Sequence, residues 1–453
     1  MASRTFRRGS LLLVALFTAG CGTTAKLTIP QTTGPEPALA APNTSLIPTV
    51  NVVEATGWPD RNVTPIATSG TTVAAFARDL DHPRWLYVLP NGDVLVAETN
   101  APARPDDGKG IKGWFFKRYQ KKAGGAVPSA NRITLLRDTD RDGVADVRTI
   151  FMSGLNAPFG MALIGDTLYV ANTDAIVKVP YAKGQTQIAS APVTVTDLPA
   201  GPLNHHWTKN LIASPDGAKL YVAVGSNSNV AEHGIEKEEG RAAIWEVDPR
   251  TGAKRVFASG LRNPVGMAWE PTTGALWVAV NERDELGSDL VPDYMTSVRD
   301  GGFYGWPYSY FGRNIDERVT PLRPDLVSTA IKPDYALGPH TASLGLAYAN
   351  GRTVYAGFGP GMFVGQHGSW NRKPYSGYKV IFVPFKDGTP SGKPIDVLTG
   401  FITEDGDAMG RPVGVAIDSQ GGLLVADDVG NTIWRVGRAL MTAGTRDGSV
   451  PQR

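Results

Sequence analysis

His206 opens the stretch HWTKNLIASPDGAKLYVAVG and follows another histidine, His205. An imidazole is the natural general base near neutral pH, because its unperturbed pKa is about 6.5. Arg262-Asn263 stand before Pro264 in RNPVGMAWEP, and Arg411 stands before Pro412 in GRPVGVAIDS. A guanidinium is a planar, permanent charge suited to a carboxylate or to an oxygen that gains charge during a reaction. A salt bridge between neighbouring elements would use the same group, so both readings stand. Several cations converging on one mouth would suit a small polyanion. His367-Gly368-Ser369-Trp370-Asn371-Arg372 is dense in polar and aromatic groups and reads as a site wall. Asp138, Asp140, Asp142 and Asp146, with Gly143 among them, have the spacing that wraps oxygen ligands around a hard cation, although Thr149 stands where a full EF-hand has its Glu. We expect a structural Ca²⁺ loop there, with a plain acidic turn as the alternative. No Ser-His-Asp order, nucleotide-binding glycine loop or zinc motif is present, and His233 and His340 lack partners at metal-ligand spacing.

His206, Arg262, Asn263 and Arg411 share one phase of a repeat. Six times a polar head, often followed by Pro-x-Gly, leads into a small apolar run, a turn and a second apolar strand; the heads lie near Asp81, Asn156, His206, Arg262, Thr341 and Gly410. Each unit is too small to bury its own face, so six copies predict an all-β, six-bladed β-propeller that gathers the heads into a ring. The spacing of the heads, 50 to 79 residues, exceeds the ~40–50 of a bare four-stranded blade, so insertions are expected. One lies around Lys112–Lys122 (KGWFFKRYQKK), where a surface loop is the plainer reading and a contact with a membrane or electron acceptor the sharper one. Another lies around Arg313–Pro339. Val73–Ala77, ahead of the first head, is placed to supply the outer strand that closes the last blade.

With Gly 52, Pro 34 and 19% charged residues, the composition suits a turn-rich β protein. Residues 1–20 read as an export signal, with Arg4, Arg7 and Arg8 before the apolar Leu11–Phe17. Thr18-Ala19-Gly20-Cys21, with Thr18 in place of the usual Leu, resembles a bacterial lipobox, which would make Cys21 the lipidated first residue of a periplasmic or cell-surface lipoprotein; an ordinary secretory signal with an incidental cysteine is the alternative. Cys21 is the single cysteine, so disulfide and thiol chemistry are excluded from the body. Beyond the signal the chain carries 42 basic against 43 acidic residues, which gives no reason to expect a nucleic-acid partner, and membrane contact is expected only through the anchor. Residues 21–68, rich in Pro, Thr and Ala, read as a flexible tether, 69–438 as the propeller and 439–453 as a tail.

SGLRNPVGMAWEP followed by NERDELGSDLVPDYMTSVRDGGFYGWPYSY resembles the soluble glucose/sorbosone dehydrogenases that use pyrroloquinoline quinone (PQQ). HWTKNLIASPDGAKLYVAVGSNSN, EGRAAIWEVDP, GQHGSWNRKPYSGYKVIFVPF and GRPVGVAIDSQGGLLVADDVGN are similar to the L-sorbosone dehydrogenase branch. The resemblance implies a six-bladed propeller with PQQ and Ca²⁺ at the channel mouth. It implies that His206 removes a proton from the sugar hydroxyl while hydride passes from the anomeric carbon to the quinone. Arg262-Asn263 would lie at the quinone oxygen that gains charge, and Arg411, Arg372, Trp370 and Asn156 near the cofactor. Backbone groups near Arg283 and Asp284 would hold the cofactor Ca²⁺.

This chain departs from the glucose-enzyme pattern at named points. Gly225-Ser226-Asn227 lacks the acid that pairs with the base. Arg411-Pro412-Val413 keeps only the first of two clamp arginines. Leu155 beside Asn156 replaces a glutamine, and the clamp lysine has no clear counterpart, Arg372 and Lys379 standing nearest. The leading expectation is a PQQ- and Ca²⁺-dependent dehydrogenase of an aldose or sorbosone-like sugar aldehyde that feeds a respiratory electron acceptor. Its rivals are a Ca²⁺-dependent lactone hydrolase on a similar propeller and a propeller that only binds carbohydrate or a protein partner.

Overall fold

The computed structural model describes residues 22–44, 49–102, 118–119, 121–350 and 357–438. The signal, Cys21, the 439–453 tail and most of the Lys112–Lys122 insertion lie outside the described residues.

Among the described residues, six of the seven antiparallel sheets follow one another along the chain as blades, and the seventh pairs Ser309–Tyr310 with Asn314–Ile315 between the third and fourth strands of blade 4. Blade 1 comprises Pro83–Val88, Val94–Glu98, Arg132–Arg137 and Val147–Met152. Blade 2 comprises Met161–Ile164, Thr167–Ala171, Ala175–Pro180 and Val193–Asp197. Leu211–Ala213, Leu220–Val224, Ala243–Val247 and Lys254–Ser259 form blade 3. Asn263–Glu270, Ala275–Asn281, Pro292–Ser297 and Tyr335–Pro339 form blade 4. Blade 5 holds Ser343–Asn350, Pro360–Gln366, Lys379–Lys386 and Ile395–Thr399. Blade 6 holds Pro412–Ile417, Leu423–Asp427 and Thr432–Arg438, and its outer strand is Thr71–Ala77 from the other end of the domain. That pairing closes the ring where the sequence placed it.

Strand residues alternate between the two faces of a sheet, and in a blade both faces meet a neighbour. Leu95 and Ala97 therefore pack toward blade 2, while Val94 and Val96 pack toward blade 6. Six apolar clusters result, one at each blade-to-blade interface. The Pro-x-Gly phrase has a packing reason. A Cβ on Gly160 would strike the backbone at Asn210–Leu211, one on Gly266 the Leu344 carbonyl, one on Gly345 the Val413 carbonyl and one on Gly414 the Arg84 carbonyl. Each glycine lets an innermost strand lie against that of the next blade. Blade 3 has Asn210 at this place instead, and its amide donates to the Val265 carbonyl at 2.7 Å.

The stretch expected to be a tether runs along the body. Thr33–Gly34 adds a fifth strand to blade 4, and Ile66–Ala67 pairs with the outer strand of blade 5. Between them Asn51 N donates to the Trp370 carbonyl, Ala55 N to the Lys122 carbonyl and Thr56 N to the Ala408 carbonyl. Trp58 packs edge-on against Trp434 and Phe401. Low periodicity concealed this, because an irregular strap satisfies its backbone through loops, without a repeating pattern of its own.

Candidate active site

In a blade that begins at its head, the loop between the second and third strands returns to the head end, and the other two turns lie opposite. One end of the propeller therefore carries the six heads with loops 225–242, 282–291, 367–378 and 428–431. His206, in the head of blade 3, is half-buried. Its Nδ1 lies 2.8 Å from the Ser226 carbonyl and 3.0 Å from Ser226 Oγ. A carbonyl only accepts, and the Ser226 hydroxyl donates its own proton to the Ser228 carbonyl at 2.7 Å, so Nδ1 carries the hydrogen. In the neutral imidazole this leaves the lone pair on Nε2. A backbone carbonyl and a hydroxyl thus orient the imidazole where the resembled pattern has an acid.

Asn263 shares the site. A methyl on Gly225 would collide with both His206 Cβ and Asn263 Oδ1, so the heads of blades 3 and 4 close on one backbone point. Asn263 is buried and its Oδ1 has no protein partner. Arg262 ties two loops together: Nε donates to the Asn229 carbonyl (3.2 Å), Nη2 to Asn229 Oδ1 (3.0 Å) and Nη1 to the Glu282 carbonyl (2.6 Å). Its charge lies 3.6 Å from Asp284. Asp284 also accepts from Asn371 Nδ2 at 2.7 Å and has His340 Nδ1 at 3.4 Å. Burial opposes ionisation of Asp284, but the His340 contact, the Arg262 charge and the Asn371 amide outweigh it and hold the carboxyl at about 2. Burial favours neutral His340, yet Asp284 and the Gly287 carbonyl raise its pKa above the ordinary value.

A second cluster faces the mouth from blades 5, 6 and 1. Asp428 is buried and receives Arg84 Nη1 at 2.6 Å and His367 Nε2 at 2.9 Å, with His82 Nε2 at 3.6 Å. Burial opposes its charge, but these three groups together hold it far below the usual carboxylate range. Arg411 donates through Nε to the His367 carbonyl (3.0 Å) and through Nη2 to the Gly368 carbonyl (3.1 Å). A cavity of ≈ 300 Å³ opens here, lined by His82, Arg84, His367, Trp370, Arg411 and Asp428 among others. Arg84 also approaches the Trp207 ring, 5.9 Å away, next to His206.

Of the residues named from sequence, His206, Arg262 and Asn263 fall on one side of this ring and Arg411 and Trp370 on the other. Asn156 is exposed and donates to Asp174 at 2.8 Å. Arg372 is buried and braces the loops, donating to the Ser288 and Pro374 carbonyls at 3.0 and 2.8 Å. Arg283 is fully buried against Glu282 and Asp316, and the Asp284 carbonyl already accepts from Arg318 at 2.9 Å. In the acidic loop, oxygens of Asp138, Asp140 and Asp146 lie within 4.8 Å of one another, whereas Asp142 stands apart and accepts from Val144 N. This loop joins the third and fourth strands of blade 1, at the end opposite the heads, so it is remote from the mouth. Sequence reading missed His82, Arg84, Asp284 (as a side chain), His340 and Asp428. The available signal was positional: His82 and Arg84 flank Pro83 in the first head much as Arg411 precedes Pro412.

Fold and site together define a six-bladed propeller with a polar, cation-rich mouth. The chain belongs to the TrAA12-like family, whose model matches residues 65–296 and 327–439. It is 28% identical over 294 residues to an uncharacterized protein of Borreliella burgdorferi, covering 62% of this chain and 76% of that one. It is 25% identical over 366 residues to the pyrroloquinoline quinone-dependent pyranose dehydrogenase of Coprinopsis cinerea, 70% of this chain but only 44% of that longer protein. The holo form of the pyranose dehydrogenase PQQ domain from Coprinopsis cinerea superposes with a TM-score of 0.66 at 20% identity, covering 85% of this chain and 100% of the domain.

Proposed function

We propose that this protein is a PQQ-dependent dehydrogenase that oxidises an aldose or a sorbosone-like sugar aldehyde, as its hydrate, at the anomeric carbon. One observation carries the reading: an imidazole fixed with its lone pair on Nε2 stands beside Asn263 Oδ1, a buried acceptor that no protein group fills. Across the mouth, His82 Nε2 and Arg84 Nε are likewise buried without hydrogen-bond partners. Orphaned polar atoms on both sides fit a flat, polar cofactor laid between them. PQQ, when bound, supplies a two-electron ortho-quinone acceptor. His206 Nε2 takes the hydroxyl proton as hydride leaves the sugar carbon, so two electrons and two protons leave the substrate. Arg262 keeps Asp284 and Asn229 in place and contributes fixed positive charge beside them. Arg411, beside His82 and Arg84, would offer positive charge to the cofactor from that side of the mouth. The acidic loop of Asp138, Asp140 and Asp146 is suited to a structural Ca²⁺. Export and lipidation at Cys21, from the sequence pattern of residues 1–21, complete the reading, with the reduced cofactor passing its electrons to a respiratory acceptor.

The test is dye reduction by the purified chain, supplied with PQQ and Ca²⁺, against aldoses, sorbosone and lactones. Sugar-dependent reduction is expected, and His206→Gln should lower turnover by at least ~10²-fold while PQQ still binds. Lactone hydrolysis without dye reduction would replace this reading with a hydrolase.

A further inference from the structure

Val413 stands where the resembled cofactor clamp would have its second arginine, and its lysine has no clear counterpart, Arg372 and Lys379 standing nearest. The fold brings other groups to that place. Arg84 and His82 come from the first head, which closes the ring against blade 6, and both line the ≈ 300 Å³ cavity with Arg411. That volume is at the lower end of small-molecule sites, which run about 300–1,000 Å³. His82 is 5% exposed, and its Nε2 has no hydrogen-bond partner. Its backbone has φ 52°, a left-handed conformation uncommon for a residue with a side chain, and is held there by its N–H donating to Asn431 Oδ1 at 3.0 Å. Arg84 gives one end of its guanidinium to Asp428 and keeps a buried Nε–H with no partner. Trp370, 40% exposed, offers a flat apolar ring on the rim.

We propose that Arg84 and His82 complete the carboxylate clamp with Arg411, so that the cavity takes the acid-bearing end of a planar aromatic polycarboxylate. Asp428, which lines the same cavity, is the positioning residue, fixing Arg84 and His367 through its carboxylate. The charges agree: Asp428 balances Arg84, and Arg411 remains as net positive charge, with the buried Nε–H of Arg84, and His82 in the tautomer that carries its proton on Nε2, to receive carboxylate oxygens. This inference rests on the PQQ reading and names which of this chain's residues hold the cofactor.

Calorimetric titration of the full chain with PQQ and with its trimethyl ester tests it without any turnover. The parent is expected to prefer the free acid to the ester by tenfold or more, and Arg84→Met to lose most of that preference, with Arg84→Lys intermediate. If Arg84→Met leaves Asp428 unpaired and does not fold, the double variant Arg84→Met/Asp428→Asn removes both charges and is read in the same way. A folded variant that keeps the parent's preference for the acid overturns the clamp while leaving the cofactor reading intact. A parent that binds neither form overturns the cofactor reading itself, and the clamp with it.

Discussion

At the scale of single residues, the mouth is a set of buried ionisable groups whose states are fixed by their neighbours. His367 shows this most directly. Burial, and then the Arg411 charge, lower its pKa to about 4, against the opposing pull of Asp428. In the unfolded chain the imidazole titrates at about 6.5. Between those values the unfolded state takes up a proton that the native state refuses, so stability is present above pH 6.5 and is lost as pH falls toward 4. The slope from this one group is at most ~1.4 kcal/mol per pH unit. Glutamine keeps an N–H donor for Asp428 but does not titrate. Denaturant unfolding of His367→Gln between pH 7 and 4 should therefore show a shallower loss than the parent; equal slopes would mean that His367 is protonated in the native state. His82, also lowered by burial, leaves part of the slope in the variant. Asp427, raised to about 6 by burial, acts in the opposite sense in both proteins, since its contribution is lost as pH rises through that value.

At the scale of elements, the repeated phrase carries two separate instructions. Its glycine controls how closely blades approach, and its polar head decides what faces the mouth. Gly345 has an ordinary negative φ, and its missing Cβ would meet the Val413 carbonyl and Val415 N of blade 6. Gly345→Ala should therefore destabilise by overpacking alone, by about 1–3 kcal/mol in urea unfolding. An unchanged midpoint would show that the blades can separate without loss. The blade count, the closing strand and the positions of His206, Asn263 and Arg411 were legible because they recur in phase. Asp284, His340 and Asp428 were not, because they sit on loops or ends whose lengths differ from blade to blade. Ser226 stands where the resembled pattern has an acid, and its backbone carbonyl holds His206 Nδ1 instead, which no side-chain pattern records.

At the scale of the whole molecule, the ring is held in two ways that the order of the chain keeps apart. Thr71–Ala77 closes blade 6, burying Phe76 between blades 6 and 1. The preceding described residues, 22–44 and 49–68, cross the head end instead, touching blades 4, 5 and 6 and the loop of blade 1. They hold the loops that bear site residues: Lys26 N donates to Asp289 Oδ2 at 2.6 Å, Asn51 Nδ2 to the Arg372 carbonyl at 2.8 Å and Trp58 Nε1 to Asp427 Oδ2 at 2.7 Å. Two truncations separate these roles. A chain beginning at Thr71 keeps the closing strand and should still unfold in one cooperative step, but at a lower temperature, with faster hydrogen exchange in loops 284–291 and 367–376. A chain beginning at Arg78 loses the closing strand, exposing the Thr432–Arg438 edge and the apolar face beneath Phe76, and should aggregate. If the Thr71 chain matched the parent in unfolding temperature and loop exchange, residues 22–68 would be no more than a tether, and the mouth would owe its geometry to the blades alone.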